Sequence, residues 1–242
     1  QRAIVSAISE VDRLLAELKK VVSKLWSFKR GCLYLMFPQE GSDVPQMREP
    51  GYGEPWERRK LIDISEIVTG TTPPTKDKNN YGGIRLFVSP ADIQSNRYVN
   101  NTITTLTEKG FNLGRKLRPG TSLFVSIGST IGMVAQIKDF ATTNQQINAI
   151  IPLEFMDDDY IFSMLEKEAN TIKRLSAQQA VPIINKRTFG DIEILYPAKK
   201  EQRKIGIYYK EHDNIITLQQ QKIQKNTQKK KAKITEIITR KI

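Results

Sequence analysis

Carboxylates stand close enough for joint chemistry at two places, Asp157-Asp158-Asp159 and Asp191-x-Glu193. A magnesium-dependent hydrolase needs such a cluster, with a nearby Lys, to hold the ion and steady a leaving group. Neither place suits that chemistry well. The triplet directly precedes a helix-spaced run, where acids complement the positive end of the helix dipole, and Asp191 and Glu193 alternate outward on a strand-like run. One cysteine, Cys32, and one histidine, His212, supply neither a zinc set of soft ligands nor a Cys-His or Ser-His-Asp constellation. The glycine-rich residues 126–132 lack the Lys of a phosphate-cradling loop and read as a tight turn beside a strand. No catalytic residue, metal site or cofactor is predicted.

Reading a base sequence asks for different residues: Arg and Lys for guanine and phosphate, Asn and Gln for adenine, carried on loops that reach groove depth. The chain has them, within a formal charge of +12 from 38 Lys and Arg against 26 Asp and Glu, which favours a polyanionic partner. Lys76, Lys78, Asn79, Asn80 and Tyr81 follow a Pro-Pro turn; Gln94, Asn96, Arg97, Tyr98, Asn100 and Asn101 repeat the recipe. Gln178 and Gln179, then Asn185, Lys186 and Arg187, form a third group, and Lys109, Arg115, Lys116 and Arg118 make a basic stretch suited to phosphate. Ordinary polar surface loops are the competing reading of each. Asn144, Gln145 and Gln146 are expected to serve the fold more than the code.

These loops must be mounted on something. Ile4, Ile8, Val11, Leu15, Leu18, Val22 and Leu25 alternate by four and three, the seam of a coiled coil. The spacing predicts one helix over residues 1–36, too long to stand without a partner. The partner is a second helix over residues 199–242, where Gln202-Arg203 and the residues after it echo Gln1-Arg2 at an offset of 201, so that Ile205, Tyr209, Ile216 and Ile223 fall on its seam. His212, Gln219, Asn226 and Lys230 occupy seam positions too, which weakens the pairing but fixes register. Residues 37–56, rich in Pro, Gly and polar side chains, read as a linker. Residues 57–198 read as a globular domain with strands at residues 85–88, 122–127, 148–151 and 192–196 and a helix over residues 158–175. The fold class is α+β: one domain with a mostly antiparallel sheet, flanked by two long helices in an antiparallel coiled coil, like a head on a stalk.

In this order several stretches resemble the specificity (S) subunit family of type I restriction-modification systems. Met36-Phe37-Pro38-Gln39-Glu40-Gly41, Val44-Pro45-Gln46-Met47-Arg48, Pro50-Gly51-Tyr52 and Trp56-Glu57-Arg58-Arg59-Lys60-Leu61 are similar to that family's entry into a target recognition domain. Gly70-Thr71-Thr72-Pro73, Val88-Ser89-Pro90-Ala91-Asp92-Ile93, Ser126-Ile127-Gly128-Ser129-Thr130-Ile131-Gly132, Thr143-Asn144-Gln145-Gln146 and Glu201-Gln202-Arg203-Lys204-Ile205 add to the likeness. The resemblance implies a non-catalytic module that recognises one half of a bipartite site in double-stranded DNA. It also implies that the helices, as conserved helical regions, dock methyltransferase (M) and restriction endonuclease (R) subunits. The chain has no Asn-Pro-Pro-aromatic signature and no S-adenosylmethionine glycine loop, so methyl transfer falls to a partner.

Full-length members carry two recognition domains and this chain has one. It reads either as the carboxy-terminal half of such a subunit or as a half-length subunit that pairs with a copy of itself. With Gln first, no leader sequence and no apolar run of membrane-spanning length, a cytoplasmic location without membrane attachment is expected. A coiled-coil scaffold or homodimerising adaptor whose head binds protein is the alternative. Lys222, Lys225, Lys229, Lys230, Lys231 and Lys233 suit docking of an acidic partner with some phosphate proximity, or a solvated helical face.

Overall fold

The computed structural model describes residues 2–94, 96–176 and 182–239, with side chains of the terminal helices given from residue 8 to residue 236. In chain order the elements are α1 (Arg2–Met36), β1 (Glu57–Lys60), α2 (Leu61–Ile64), β2 (Ser65–Thr69), β3 (Tyr81–Val88), β4 (Tyr98–Val99), β5 (Thr105–Leu106), α3 (Glu108–Leu113), β6 (Ser122–Val125), β7 (Val134–Ile137), β8 (Ala141–Thr143), β9 (Ile147–Pro152), α4 (Asp158–Arg174), α5 (Lys186–Gly190), β10 (Glu193–Tyr196) and α6 (Lys199–Thr239). They form two compact units: residues 1–32 with 210–242, and Leu33–Tyr209.

The first unit is a helix pair. Lys29 Nζ meets Asp213 Oδ1 at 2.5 Å, and Lys230 Nζ meets Asp12 Oδ1 at 2.5 Å. Advancing 17 residues along α1 therefore retreats 17 along α6, so the helices run antiparallel with constant register. Leu15 is buried and Ile8, Val11, Leu18, Val22 and Leu25 are half-buried, while Glu10, Arg13, Glu17, Lys20 and Lys24 between them are exposed. Ile216 is buried, and His212, Gln219, Ile223, Asn226 and Lys230 are all half-buried. The side chain of Ile4 lies outside the described residues. Lys29 and Asp213, 1% and 4% exposed, satisfy each other where the predicted apolar seam gives way to charge.

The second unit is layered. A five-stranded sheet runs in the order β2-β9-β6-β7-β4, a three-stranded one β5-β3-β8, and β1 pairs with β10. Most pairings are antiparallel; β3 with β8 and β4 with β7 are parallel. One face of the large sheet, through Leu123, Val125, Ala135, Ile137, Ile147 and Ala149, closes on Val88 and Ala141 of the small sheet. Its other face carries Phe124 against Phe189 of α5, and Gln136, which donates to the carbonyl of Asp158 at the start of α4. With both faces covered, β6 is buried at every residue, which is why it reads as a continuous apolar run rather than an alternating one.

Where the sequence reads as a linker, the structure has a strap. Arg48 grips Glu201 with two hydrogen bonds of 2.7 and 2.8 Å and gives a third to the Glu54 carbonyl. Lys204 reaches Glu49, and Trp56 and Phe37 pack with Tyr160 and Tyr209 at ring separations of 5.7 to 6.1 Å. Residues 37–56 thus belong to the same compact unit as residues 57–198, together with the inner ends of α1 and α6.

Candidate nucleic-acid interface

The first loop is bolted at both ends. After β2, Gly70 donates to the Ile147 carbonyl and Thr71 to that of Thr143. A Cβ on Gly70 would collide with the Asn144 carbonyl, so only glycine fits. At the far end Asp77 accepts the Asn79 amide at 3.0 Å and the Lys109 ammonium at 2.6 Å. These two bonds, the Lys109 one larger, hold its carboxyl below the ordinary range. Asn80 is fully buried; its amide donates to the Pro74 carbonyl, and its own carbonyl accepts from Thr107. Tyr81 donates its hydroxyl to the Pro73 carbonyl at 2.6 Å. Asn80 and Tyr81, expected to meet DNA, therefore build the loop; Lys76, Lys78 and Asn79 stand exposed on it.

In the second loop Arg97 is the correction. It is 4% exposed, donates to Gln136 Oε1 at 2.9 Å and Asp159 Oδ1 at 2.7 Å, and lies 4.2 Å above the ring of Phe162. A guanidinium so enclosed cannot reach a groove without breaking the core. Tyr98 is half-buried in β4 with the Lys138 ammonium 4.2 Å from its ring centre. Gln94, Asn96, Asn100 and Asn101 are exposed.

Most of the basic stretch is engaged inside the protein. Lys109 holds Asp77, Arg115 donates to the Thr69 carbonyl at 2.5 Å, and Arg118 chelates Asp158 at 2.7 and 2.8 Å. Lys116 is exposed, 5.5 Å from the Phe111 ring centre, with no acidic partner among the described residues. In the third group Gln178 and Gln179 lie outside the described residues. Asn185 caps α5 by accepting the Thr188 amide, and Lys186 and Arg187 project from that helix, exposed. Asn144 and Gln146 hydrogen-bond each other, and Gln145 accepts from Thr72 at 2.6 Å.

The acidic triplet is consumed as well. Asp157 caps α4 by accepting two backbone amides, Asp158 takes Arg118 and Asp159 takes Arg97. Lys60 sits 2.8 Å from Asp191 and pulls its carboxyl below the ordinary range. Sequence reading missed one pair of residues entirely. Ile84 and Ile103 are 87% and 80% exposed, the most exposed large apolar side chains described. The available signal was Ile103 standing alone within the polar run from Asn100 to Thr105.

What remains at the surface is Lys76, Lys78, Asn79, Gln94, Asn96, Asn100, Asn101 and Lys116 on three loops, with Lys186 and Arg187 on α5. That set can contact phosphates and hydrogen-bond base edges.

Residues 53–228 match the family model described as the type I restriction modification DNA specificity domain. The chain is 28% identical over 166 residues to the MjaIX specificity subunit of a type I restriction enzyme from Methanocaldococcus jannaschii, covering 66% of this chain and 38% of that protein. It is 29% identical over 170 residues to the HindI specificity subunit from Haemophilus influenzae, covering 66% and 37%. Its fold is similar to the HsdS subunit from Thermoanaerobacter tengcongensis (TM-score 0.59, 16% identity, 97% of this chain and 56% of that one). It is also similar to a type I S subunit from M. genitalium (TM-score 0.57, 16% identity, 99% and 59%). Those matches thus span well under two thirds of the length of each protein compared.

Proposed function

Because the chain belongs to the family of type I restriction-modification DNA specificity domains, we propose that its Leu33–Tyr209 unit reads one half of a bipartite site in double-stranded DNA and performs no reaction itself. Its two long helices attach the reader to methyltransferase and endonuclease subunits, in the cytoplasm. The observation that carries this reading is the division among the loop residues. One subset is locked into the fold, and it holds another subset, amides and cations with no ion pair among the described residues, out in solvent. Loops whose backbone is already held in this way suit base readout, since only their side chains remain to be ordered on binding.

Mapping methylated positions in cells that carry this chain with its modification subunits tests the proposal. One short recurring half-site is expected. Methylation patterns that do not change when this chain is swapped for another specificity subunit would refute it. The same map distinguishes a half-length subunit paired with its own copy, which gives a symmetric site, from one half of a two-domain subunit, which gives an asymmetric one.

A second reading, a dimerising adaptor with a protein-binding head, draws support from Leu14, Val21 and Phe28. They lie seven residues apart on α1 and are 43 to 56% exposed, an apolar stripe beside the seam. Alanine at Lys76, Lys78 and Arg187 separates the readings: a DNA reader loses duplex affinity with assembly intact, and an adaptor loses neither.

A further inference from the structure

Ile103 is presented to water by a loop that holds it still. Its backbone amide donates to Asp92 Oδ1 at 2.6 Å, while the other oxygen of that carboxylate takes the amide and hydroxyl of Ser89 at 2.8 and 2.6 Å. The neighbouring Thr102 hydroxyl donates to the Thr104 carbonyl at 2.7 Å and accepts the Phe87 amide from β3 at 3.4 Å. A single exposed isoleucine needs no explanation in itself. This one differs because the backbone on both sides is tied, so the side chain cannot fold back onto the core, and because its neighbours are specific. Asn100 and Asn101, three and two residues earlier, are exposed, and neither amide has an internal hydrogen bond among the described residues.

In the major groove an A·T pair displays the N7 acceptor and N6 donor of adenine beside the O4 acceptor and C5-methyl of thymine. Asparagine matches the adenine edge with one acceptor and one donor, and an aliphatic side chain matches the methyl. The loop therefore carries the complement of both halves of one base pair. We infer that the Asn100, Asn101 and Ile103 loop reads an A·T pair in the major groove, with an asparagine on adenine and Ile103 against the thymine methyl. This rests on the DNA-reading role proposed above and names the bases that this loop takes.

The test uses the full chain assembled with its modification subunits and duplexes bearing the mapped half-site, with deoxyuridine replacing each thymidine in turn. Each replacement deletes one methyl and leaves the hydrogen-bonding edge intact. Affinity is expected to fall about fourfold at one position, the worth of one methyl group returned to water. The Ile103→Ala protein should bind the parent duplex about fourfold more weakly and be indifferent to deoxyuridine at that position. Ile84→Ala, which removes an equally exposed isoleucine with no amides beside it in the sequence, should respond as the unaltered protein does. Asn100→Ala or Asn101→Ala should relax the requirement for adenine in the same pair.

Specific binding that tolerates deoxyuridine everywhere, or a deoxyuridine penalty that persists in Ile103→Ala, overturns the assignment and leaves the DNA-reading role standing. No preference for the mapped half-site over other duplexes overturns the role itself and the assignment with it.

Discussion

Arg97 joins β4 to β7 and α4 at one enclosed point, through Gln136, Asp159 and the face of Phe162. Replacing it by alanine takes the guanidinium away from the Asp159 carboxylate, 19% exposed, and from Gln136 Oε1. Removing one side of a shielded ion pair costs about 3 kcal/mol, so Arg97→Ala should lower the thermal midpoint markedly while any protein still folded keeps its preference among duplexes. Lys78 makes the opposite case. It is exposed and has no acidic partner among the described residues. Lys78→Ala should leave the thermal midpoint within the range of about 0.5 kcal/mol typical of surface changes and reduce the slope of log affinity against log salt by about 1. Calorimetry together with duplex titrations at several salt concentrations measures both. If Arg97→Ala altered base preference without loss of stability, its placement inside the fold would not be its role.

At the scale of elements, close approaches set where the loops stand. Gly110 in α3 lies against the Asn80 backbone, and a Cβ there would overlap the Asn80 carbonyl. Gly110→Ala should therefore push the Lys76 and Lys78 loop off α3, at a cost of about 2 kcal/mol from forced overpacking, and weaken discrimination between duplexes; chemical denaturation and binding read the two effects. In α6, burial holds the His212 pKa below its ordinary value of 6.5, with Asp213 opposing the shift and Lys29 adding to it. Phe28 stacks on its ring at 5.1 Å. As pH falls through 6.5 the unfolded chain takes up this proton before the folded one does, so the helix pair loses stability between that pH and the lower folded value, and loses no more from this group below it. His212→Gln should show a smaller drop in thermal midpoint between about pH 7.5 and about pH 5.5, whatever its baseline. Both helices were legible in the sequence because heptad spacing is a local signal that survives without tertiary context. So were the starts of α4 and α6, marked by Asp157 and Pro197. The fates of Asn80, Arg97 and Arg118 were not legible. Each is polar in a polar run, and what buries or pairs it, Thr107, Asp159 or Asp158, arrives from 27 to 62 residues away. Exposure on a loop is a product of tertiary packing, and composition alone does not encode it.

Charge is divided unevenly over the whole molecule. Of the 38 Lys and Arg, 16 fall in residues 1–32 and 210–242, against 6 of the 26 acids, so the helical unit carries +10 of the total +12 and the reading unit only +2. Long-range attraction to a polyanion is a property of summed charge, whereas discrimination between bases is a property of short contacts. Under the function proposed above, the two tasks fall to different stretches of chain. Lys222, Lys225 and Lys229 are exposed and recur every three or four residues on α6, which lines them along one side of the helix. Replacing all three with glutamine should lower affinity for every duplex by a common factor and flatten the salt slope by about 3, leaving the ratio between preferred and other sequences unchanged. That ratio, measured by competition at fixed salt, is the decisive quantity. If it fell, the helices would share in base readout. If the salt slope did not move while association with the modification subunits was lost, the lysine face would belong to an acidic protein surface, and the attraction to DNA would have to come from the few unpaired cations of the reading unit.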